Sequence, residues 1–251
     1  MPVVMKNHGQ GTDSIDMPVA ETSGDNVTYS TTPLGIIITE KNVITVCTRG
    51  NPVLDEFTDG AVKGVQTNLK TRFILHLMLR IATKYLQYLK QIDKLSSHVE
   101  RELRKSMKNS ELIQLLDIEK SLVYFSSSLK GSEITIEKIS RGRVVKLYEE
   151  DQDLLEDVLI EVRQAIEMSS IYLNILSGTM DAFASVISNN LNIVMKVLAS
   201  ITLIISIPTV ISSFYGMNVE GLPLPFFWFP LLLAIVSMGI AYLILRKKDM
   251  F

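Results

Sequence analysis

Residues 197–211 read VLASITLIISIPTVI and residues 222–245 read LPLPFFWFPLLLAIVSMGIAYLIL, and neither run holds a charged residue. With Ile193 to Met195 before it and Ser212 to Phe214 after it, the first run reaches the length needed to cross a bilayer. About 20 apolar residues span a roughly 30 Å hydrocarbon core as a helix, because only a helix satisfies its own backbone there. Two spans are therefore expected, separated only by Tyr215 to Gly221. So short a link makes them a hairpin with both chain ends on one side. Arg246, Lys247 and Lys248 follow the second span and Lys196 stands at the entrance of the first. By the positive-inside tendency that side is the cytoplasm.

The rest of the 251-residue chain has a different composition. All but four of its 25 Lys and Arg, and all but two of its 27 Asp and Glu, lie before residue 191. The first three quarters are water-soluble and mildly acidic, while the whole has a positive mean hydropathy. Bases do not outnumber acids, which excludes a basic nucleic-acid binder. A single cysteine, Cys47, excludes an intrachain disulfide framework and suits a cytoplasmic location.

Two strands are read at Leu34–Thr39 and Asn42–Cys47, turning at Glu40 and Lys41 without an Asn-Gly signal. Two strands make no independent sheet. Either pieces around Val19–Ala20 and Val27–Ser30 add strands, with Pro18 restricted to an edge, or the chain begins inside a domain whose first strands are missing. Beyond Pro52 the period becomes helical. Phe73, Leu77, Ile81, Tyr85, Leu89, Ile92 and Val99 mark a helix from about Val65 to Lys105. A second is expected from Ser110, as N-cap, to Lys130, ending at Gly131. A third begins near Asp151, with Leu154, Val158, Val162, Ala165, Tyr172, Leu176, Met180, Ile187, Leu191 and Val194 as its face. Gly178 costs it about 1 kcal/mol relative to Ala without breaking the period. Continued to Ser213 it has about 60 residues and a length of roughly 90 Å.

The fold class expected is thus α+β, mostly α. A partial α/β region (1–64) and a cytoplasmic helical bundle (65–150) lead into a stalk helix continuing through the first span (151–213). An outer loop (214–221), the second span (222–245) and a basic cytoplasmic tail (246–251) complete it.

Asn192, Met195, Ala199, Thr202, Ser206, Thr209 and Ser213 recur at intervals of 3 and 4 and share one face of the first span. Small hydroxyl residues also serve dry helix contacts, where backbones approach closely. A stripe along the whole span, with Asn192 at its cytoplasmic end, fits a water-filled path better. The second span offers only Ser237, Gly239 and Tyr242 and reads as lipid-facing. One stripe cannot enclose a path, so a ring of identical chains is implied. Pro208 has no N–H for the carbonyl of Ile204, which is left to water, an ion or a neighbour. His8, His76 and His98 lack metal-ligand spacing, and no phosphate-binding glycine loop or catalytic constellation is present, so no enzyme is expected.

The first span ends in Tyr215, Gly216, Met217 and Asn218. Gly-Met-Asn between two C-terminal spans, preceded by Tyr and followed by a short loop and basic tail, resembles the CorA family of magnesium transporters. NIVMKVL at 192–198 and Pro208 within the span extend the resemblance, which covers residues 34–251. It implies a homopentamer in a cell membrane, inner or plasma, with both termini cytoplasmic. First spans would surround the pore and the Gly-Met-Asn loops would form its outer mouth, passing Mg2+ passively. Co2+, Ni2+ or Zn2+ are alternative ions, and a non-conducting subunit or membrane-tethered scaffold is the alternative of another class. No cofactor is implied beyond Mg2+ as cargo and as a possible regulatory ion. Asp157, in Leu155-Glu156-Asp157-Val158, resembles the acid near the stalk's start that binds the family's closing ion. The resemblance places that ion's partner acids upstream of Met1. Taken alone, Asp157 reads equally as a solvated charge among Glu149, Glu150, Asp151, Asp153, Glu156 and Glu161. Likewise Gly216 alone reads as a helix C-cap and Asn218 as a turn residue. Mg2+ gives up water reluctantly, so neutral oxygens touching its hydration shell suit rapid passage. The Asn218 side chain and the Gly216 and Met217 carbonyls are the expected source.

Overall fold

The computed structural model describes residues 3–4, 15–23, 26–58, 62, 65, 67–142, 145–217, 226 and 228–248. The chain forms two compact units, Met1–Met180 and Asp181–Phe251.

In the first unit an antiparallel sheet is built around β3 (Asn26–Ile38). β2 (Ile15–Ser23) pairs with it from Ile15↔Leu34 to Ser23↔Asn26, and the two-residue β1 (Val3–Val4) pairs at Ile38 and Ile37. β4 (Val43–Cys47) pairs with Leu34–Ile38. The hairpin expected at Glu40 and Lys41 is present, with strand-forming residues on both sides of it. Thr39 closes it in place of Asn-Gly: its N–H donates to the Asn42 carbonyl at 2.8 Å and its hydroxyl accepts from the Asn42 N–H at 2.9 Å. The pieces around Val19 and Val27 do supply strands, and Pro18 lies on β2, at the end of the strand order, where its missing N–H breaks no ladder.

Asn51 starts a short helix, α1 (Pro52–Thr58), which the periodicity did not reveal. The Asn51 side-chain oxygen accepts from the Val53 N–H at 2.8 Å. Asn followed by Pro is an N-cap and first-position pair, a local signal that seven residues of helix are too short to repeat. α2 (Lys70–Ser106) starts later than Val65, at Leu69, and ends on Met107 in the left-handed conformation, with φ of 50°. α3 (Asn109–Ser140) begins before Ser110 and runs straight through Gly131. Beyond it Ser132, Thr135, Ile136 and Ile139 are buried, so packing of that last stretch outweighs the roughly 1 kcal/mol propensity cost of one glycine. A single 3-10 turn (Glu149–Asp151) leads into α4 (Gln152–Tyr215), which continues through Gly178 without a break.

One face of the sheet packs on α2 and α3, so the regions divided at residue 64 in the sequence reading share one core. Tyr85 and Phe125, both fully buried, meet edge to face with centroids 4.9 Å apart, and Tyr29 of β3 lies 6.2 Å from Phe125. Polar groups of Asp16 find partners on both helices. Ser128 donates to the Asp16 carboxylate at 2.8 Å, and the Tyr85 hydroxyl donates to the Asp16 carbonyl at 3.0 Å. α4 is tied to α3 by the Ser169 hydroxyl on the Leu122 carbonyl and by Arg163 on Glu133 at 2.8 Å. The repeating face of α4 is buried or half-buried from Leu154 to Met180, but Ile187, Leu191 and Val194 are exposed in the single chain.

In the second unit the rest of α4 is accompanied by α5 (Trp228–Lys247). Its 20 residues correspond to about 30 Å of helix, a bilayer core's thickness. It begins after the expected Leu222, and residues 222–225 and 227 lie outside the described residues. Among the described residues these two helices alone are long and apolar enough to cross a membrane.

Candidate functional site

On α4 the sheltered positions from residue 184 onward are Val197, Ser200, Ile204, Ile207, Pro208, Ile211 and Tyr215. On α5 they are Phe229, Pro230, Ala234, Ser237, Met238, Ala241 and Leu245. Both sets recur about every 3 or 4 residues, the spacing of a helix contact seam. Tyr215 meets Phe229 with ring centroids 6.2 Å apart. These are the faces by which the hairpin covers itself. Ile204 and Pro208 belong to this seam.

Asn192, Met195, Ala199, Thr202, Ser206, Thr209 and Ser213 are all exposed. At about 100° per residue their stripe centres roughly 180° from the seam. Met195, Ala199, Thr202 and Ser206 line one shallow groove with Leu198 and Leu203. The dry contact that small hydroxyl residues could have made with the second span is made elsewhere on the helix. Ser200, fully buried, is the hydroxyl that belongs to the seam, and its position one residue off the 3-and-4 repeat sets it apart in the sequence.

Each hydroxyl of the stripe donates back into its own helix. Thr202 bonds the Leu198 carbonyl at 2.8 Å, Ser206 the Leu203 carbonyl at 2.8 Å, Thr209 the Ile205 carbonyl at 3.3 Å and Ser213 the Thr209 carbonyl at 2.8 Å. A hydroxyl has one proton and two lone pairs. With the proton turned inward, what the face offers outward is oxygen acceptors. Residues 197–217 carry no charged side chain, so the field along the stripe is that of neutral dipoles.

At the end of the stripe the Gly216 N–H donates to the Ser212 carbonyl at 2.9 Å and the Met217 N–H to the Phe214 carbonyl at 3.4 Å. Gly216 ends the helix without a left-handed φ, and a Cβ built on it would stand 3.1 Å from the Ser212 carbonyl oxygen. Met217 is exposed. Asn218, expected to supply side-chain oxygens, lies outside the described residues, as does His8. Asp157 is exposed on the second turn of α4. Among the described residues no three of His, Cys, Asp and Glu gather closely enough to hold a metal ion. One exposed carboxylate does not fit a regulatory divalent ion within a single chain. His76 is half-buried, and burial, aided by the Arg72 guanidinium, lowers its pKa, so it is a packed helix residue.

A family model described as CorA-like Mg2+ transporter protein matches residues 10–247. The cobalt/magnesium transport protein CorA of Methanocaldococcus jannaschii is 28% identical over 179 residues, which are 70% of this chain and 56% of that protein. Its namesake from Thermotoga maritima is 25% identical over 178 residues, 70% of this chain and 51% of that protein. The chain thus spans about half the length of the curated relatives it matches. The complete structure of the CorA magnesium transporter from Methanocaldococcus jannaschii superposes with a TM-score of 0.74 at 23% identity, covering 94% of this chain and 74% of that one. The full-length CmaX protein gives a TM-score of 0.69 at 16% identity, covering 98% and 76%. At these identities the likeness is one of fold.

Proposed function

The chain belongs to the CorA-like Mg2+ transporter family, and on that premise we propose that it is one subunit of a homopentameric channel carrying Mg2+ passively across a cell membrane. The α4 stripe of each copy faces the path, and α5 faces lipid.

The observation that carries this reading is the outward array of acceptor oxygens on the face of α4 opposite the α5 seam. A hydrated Mg2+ presents water protons, and acceptors are what its hydration shell needs from a wall. Donors turned outward would repel those protons. Thr202, Ser206, Thr209 and Ser213 have turned theirs into the helix. The absence of fixed charge on the stripe also favours passage, since an ion held by carboxylates would leave slowly.

One helix face cannot enclose a path, so the reading requires several copies. Val186, Ile187, Leu191 and Val194 are 42–61% exposed just before the span, and apolar side chains in that number favour cover by neighbouring copies. Inward movement of the ion is driven by the membrane potential, about 2.3 kcal/mol per elementary charge per 100 mV. Arg246, Lys247 and Lys248 support an orientation with both termini in the cytoplasm. Co2+ is the favoured second cargo, because both named relatives are cobalt/magnesium transport proteins and a wall touching only hydration water discriminates by size and hydration.

The test is Mg2+ uptake by liposomes holding the purified chain. Wild type is expected to take up Mg2+ as the interior is made negative, and Asn218→Ala is expected to lose uptake while keeping its oligomer in detergent. Wild-type uptake by that variant would remove the loop from the selectivity site. No uptake by the wild type would leave the membrane-tethered scaffold.

A further inference from the structure

In the first unit, the N-terminus of α2 and the 3-10 turn before α4 enclose an open-mouthed cavity of about 740 Å³. Asp151 lines it and is only 5% exposed. Its backbone N–H donates to the Tyr148 carbonyl at 3.0 Å, but its carboxylate makes no hydrogen bond or ion pair with any described residue. The residue is sheltered but its carboxylate oxygens are reached from the cavity rather than sealed in the core, a place where nearby cations would ordinarily pair with them. Arg72 and Lys146 line the same cavity, and neither pairs with a carboxylate among the described residues. Lys70 is committed elsewhere, to the carbonyls of Thr39 and Glu40. Glu149 and Glu150, exposed at the rim, likewise pair with no described residue. Charges of both signs surround one cavity without meeting across it.

We propose that this cavity binds a magnesium-complexed nucleoside polyphosphate. Protein-bound Mg2+ commonly takes one or two carboxylates together with phosphate oxygens, and Asp151 supplies the carboxylate. Arg72, Lys146 and the first turn of α2, which no side chain caps, supply the phosphate donors. The Tyr148 ring is 56% exposed, with the Lys146 ammonium 5.4 Å from its centroid, and stands with Ile38 and Leu69 as a surface for a base. The volume is in the range of cofactor sites. A bare Mg2+ would face Arg72 and Lys146, and a bare phosphate would face three carboxylates; a complex of the two answers both. This site is independent of the ion path.

Titration calorimetry on the full chain in detergent, with ATP as the probe, tests this. Saturable binding is expected in Mg2+, at least about tenfold tighter than with ATP in a chelator. Asp151→Asn should erase that difference, and Arg72→Ala should weaken binding of the Mg2+ complex by about tenfold or more. Tyr148→Ala should remove any preference for ATP over inorganic tripolyphosphate. Circular dichroism melts check that each variant folds. Should Asp151→Asn misfold, Lys146→Ala, at an exposed side chain, takes its place and should weaken binding as Arg72→Ala does. No saturable binding at millimolar Mg2+ and ATP would overturn the proposal. So would unchanged affinity in the variants, or heat from Mg2+ alone that Asp151→Asn abolishes while ATP adds nothing.

Discussion

Gly216 has no positive φ to require glycine, yet the end of α4 leaves little room for a Cβ: 3.1 Å from the Ser212 carbonyl oxygen is tighter than nine in ten real contacts. An added methyl must displace that carbonyl by a few tenths of an ångström, at a strain on the order of 1 kcal/mol. Gly216→Ala is therefore expected to reduce Mg2+ uptake several-fold without dissociating the oligomer, and unchanged uptake would mean the loop tolerates the shift. In the soluble core, the Ser132 hydroxyl is the one buried side-chain polar atom without a partner among the described residues. Ser132→Ala removes an unsatisfied group and should be neutral or stabilising by up to about 1–2 kcal/mol in thermal unfolding. Tyr85 behaves differently. Burial, then the negative Asp16 nearby, raises its phenol pKa well above the ordinary value, while the bond with Ser128 works the other way. Below about pH 10 both folded and unfolded chains keep the proton; above it the unfolded chain loses the proton first, so stability falls as pH climbs from there toward the folded value. Tyr85→Phe should lose about 1 kcal/mol at neutral pH, with its bond to the Asp16 carbonyl, and should flatten this alkaline decline in the melting temperature. Glycine crowding and buried-group titration need coordinates, because no spacing in the sequence shows what lies 3 Å away.

α4 was legible in the sequence because one helical period runs from Leu154 past Leu198 without proline or glycine strong enough to end it. α1 was not, since seven residues cannot show a period and only the Asn51-Pro52 pair marks it. α3 misled at Gly131, where the propensity of one residue gave way to the burial of Ser132, Thr135, Ile136 and Ile139 beyond it. The stripe and the seam of α4 divide the helix at its own period, which gives a test. Cysteines at Ser206, Thr209 and Ser213 should react with membrane-impermeant thiol reagents and lose most of the uptake. Cysteines at Ile205 and Val210, turned away from the line of Ser206, Thr209 and Ser213, should react slowly and conduct. Similar labelling of both sets would contradict a path on that face.

Ile187, Leu191 and Val194 continue the apolar repeat of α4 but lie exposed in the single chain, unlike Val158, Val162 and Ala165 earlier on the same face. If neighbouring copies cover them, the double variant Ile187→Ser with Leu191→Ser should shift the detergent-solubilised protein toward smaller species by light scattering, while its melting transition stays within about 1 kcal/mol of wild type, as for surface positions. An oligomer of unchanged size would place the assembly contact elsewhere. Two spans, a long helix entering the first of them, a hairpin of strands, a polar stripe and the Gly-Met-Asn end were all determined by sequence alone, because hydropathy and a period of two or 3.6 are properties of the chain. Which face of α4 the second span covers, that Ser200 lies in the seam while Ser206 stands opposite, and that Asp151 is sheltered in one cavity with Arg72 and Lys146 were decided only by tertiary structure. Those facts depend on which residues distant in sequence exclude water from one another, and no local pattern carries that.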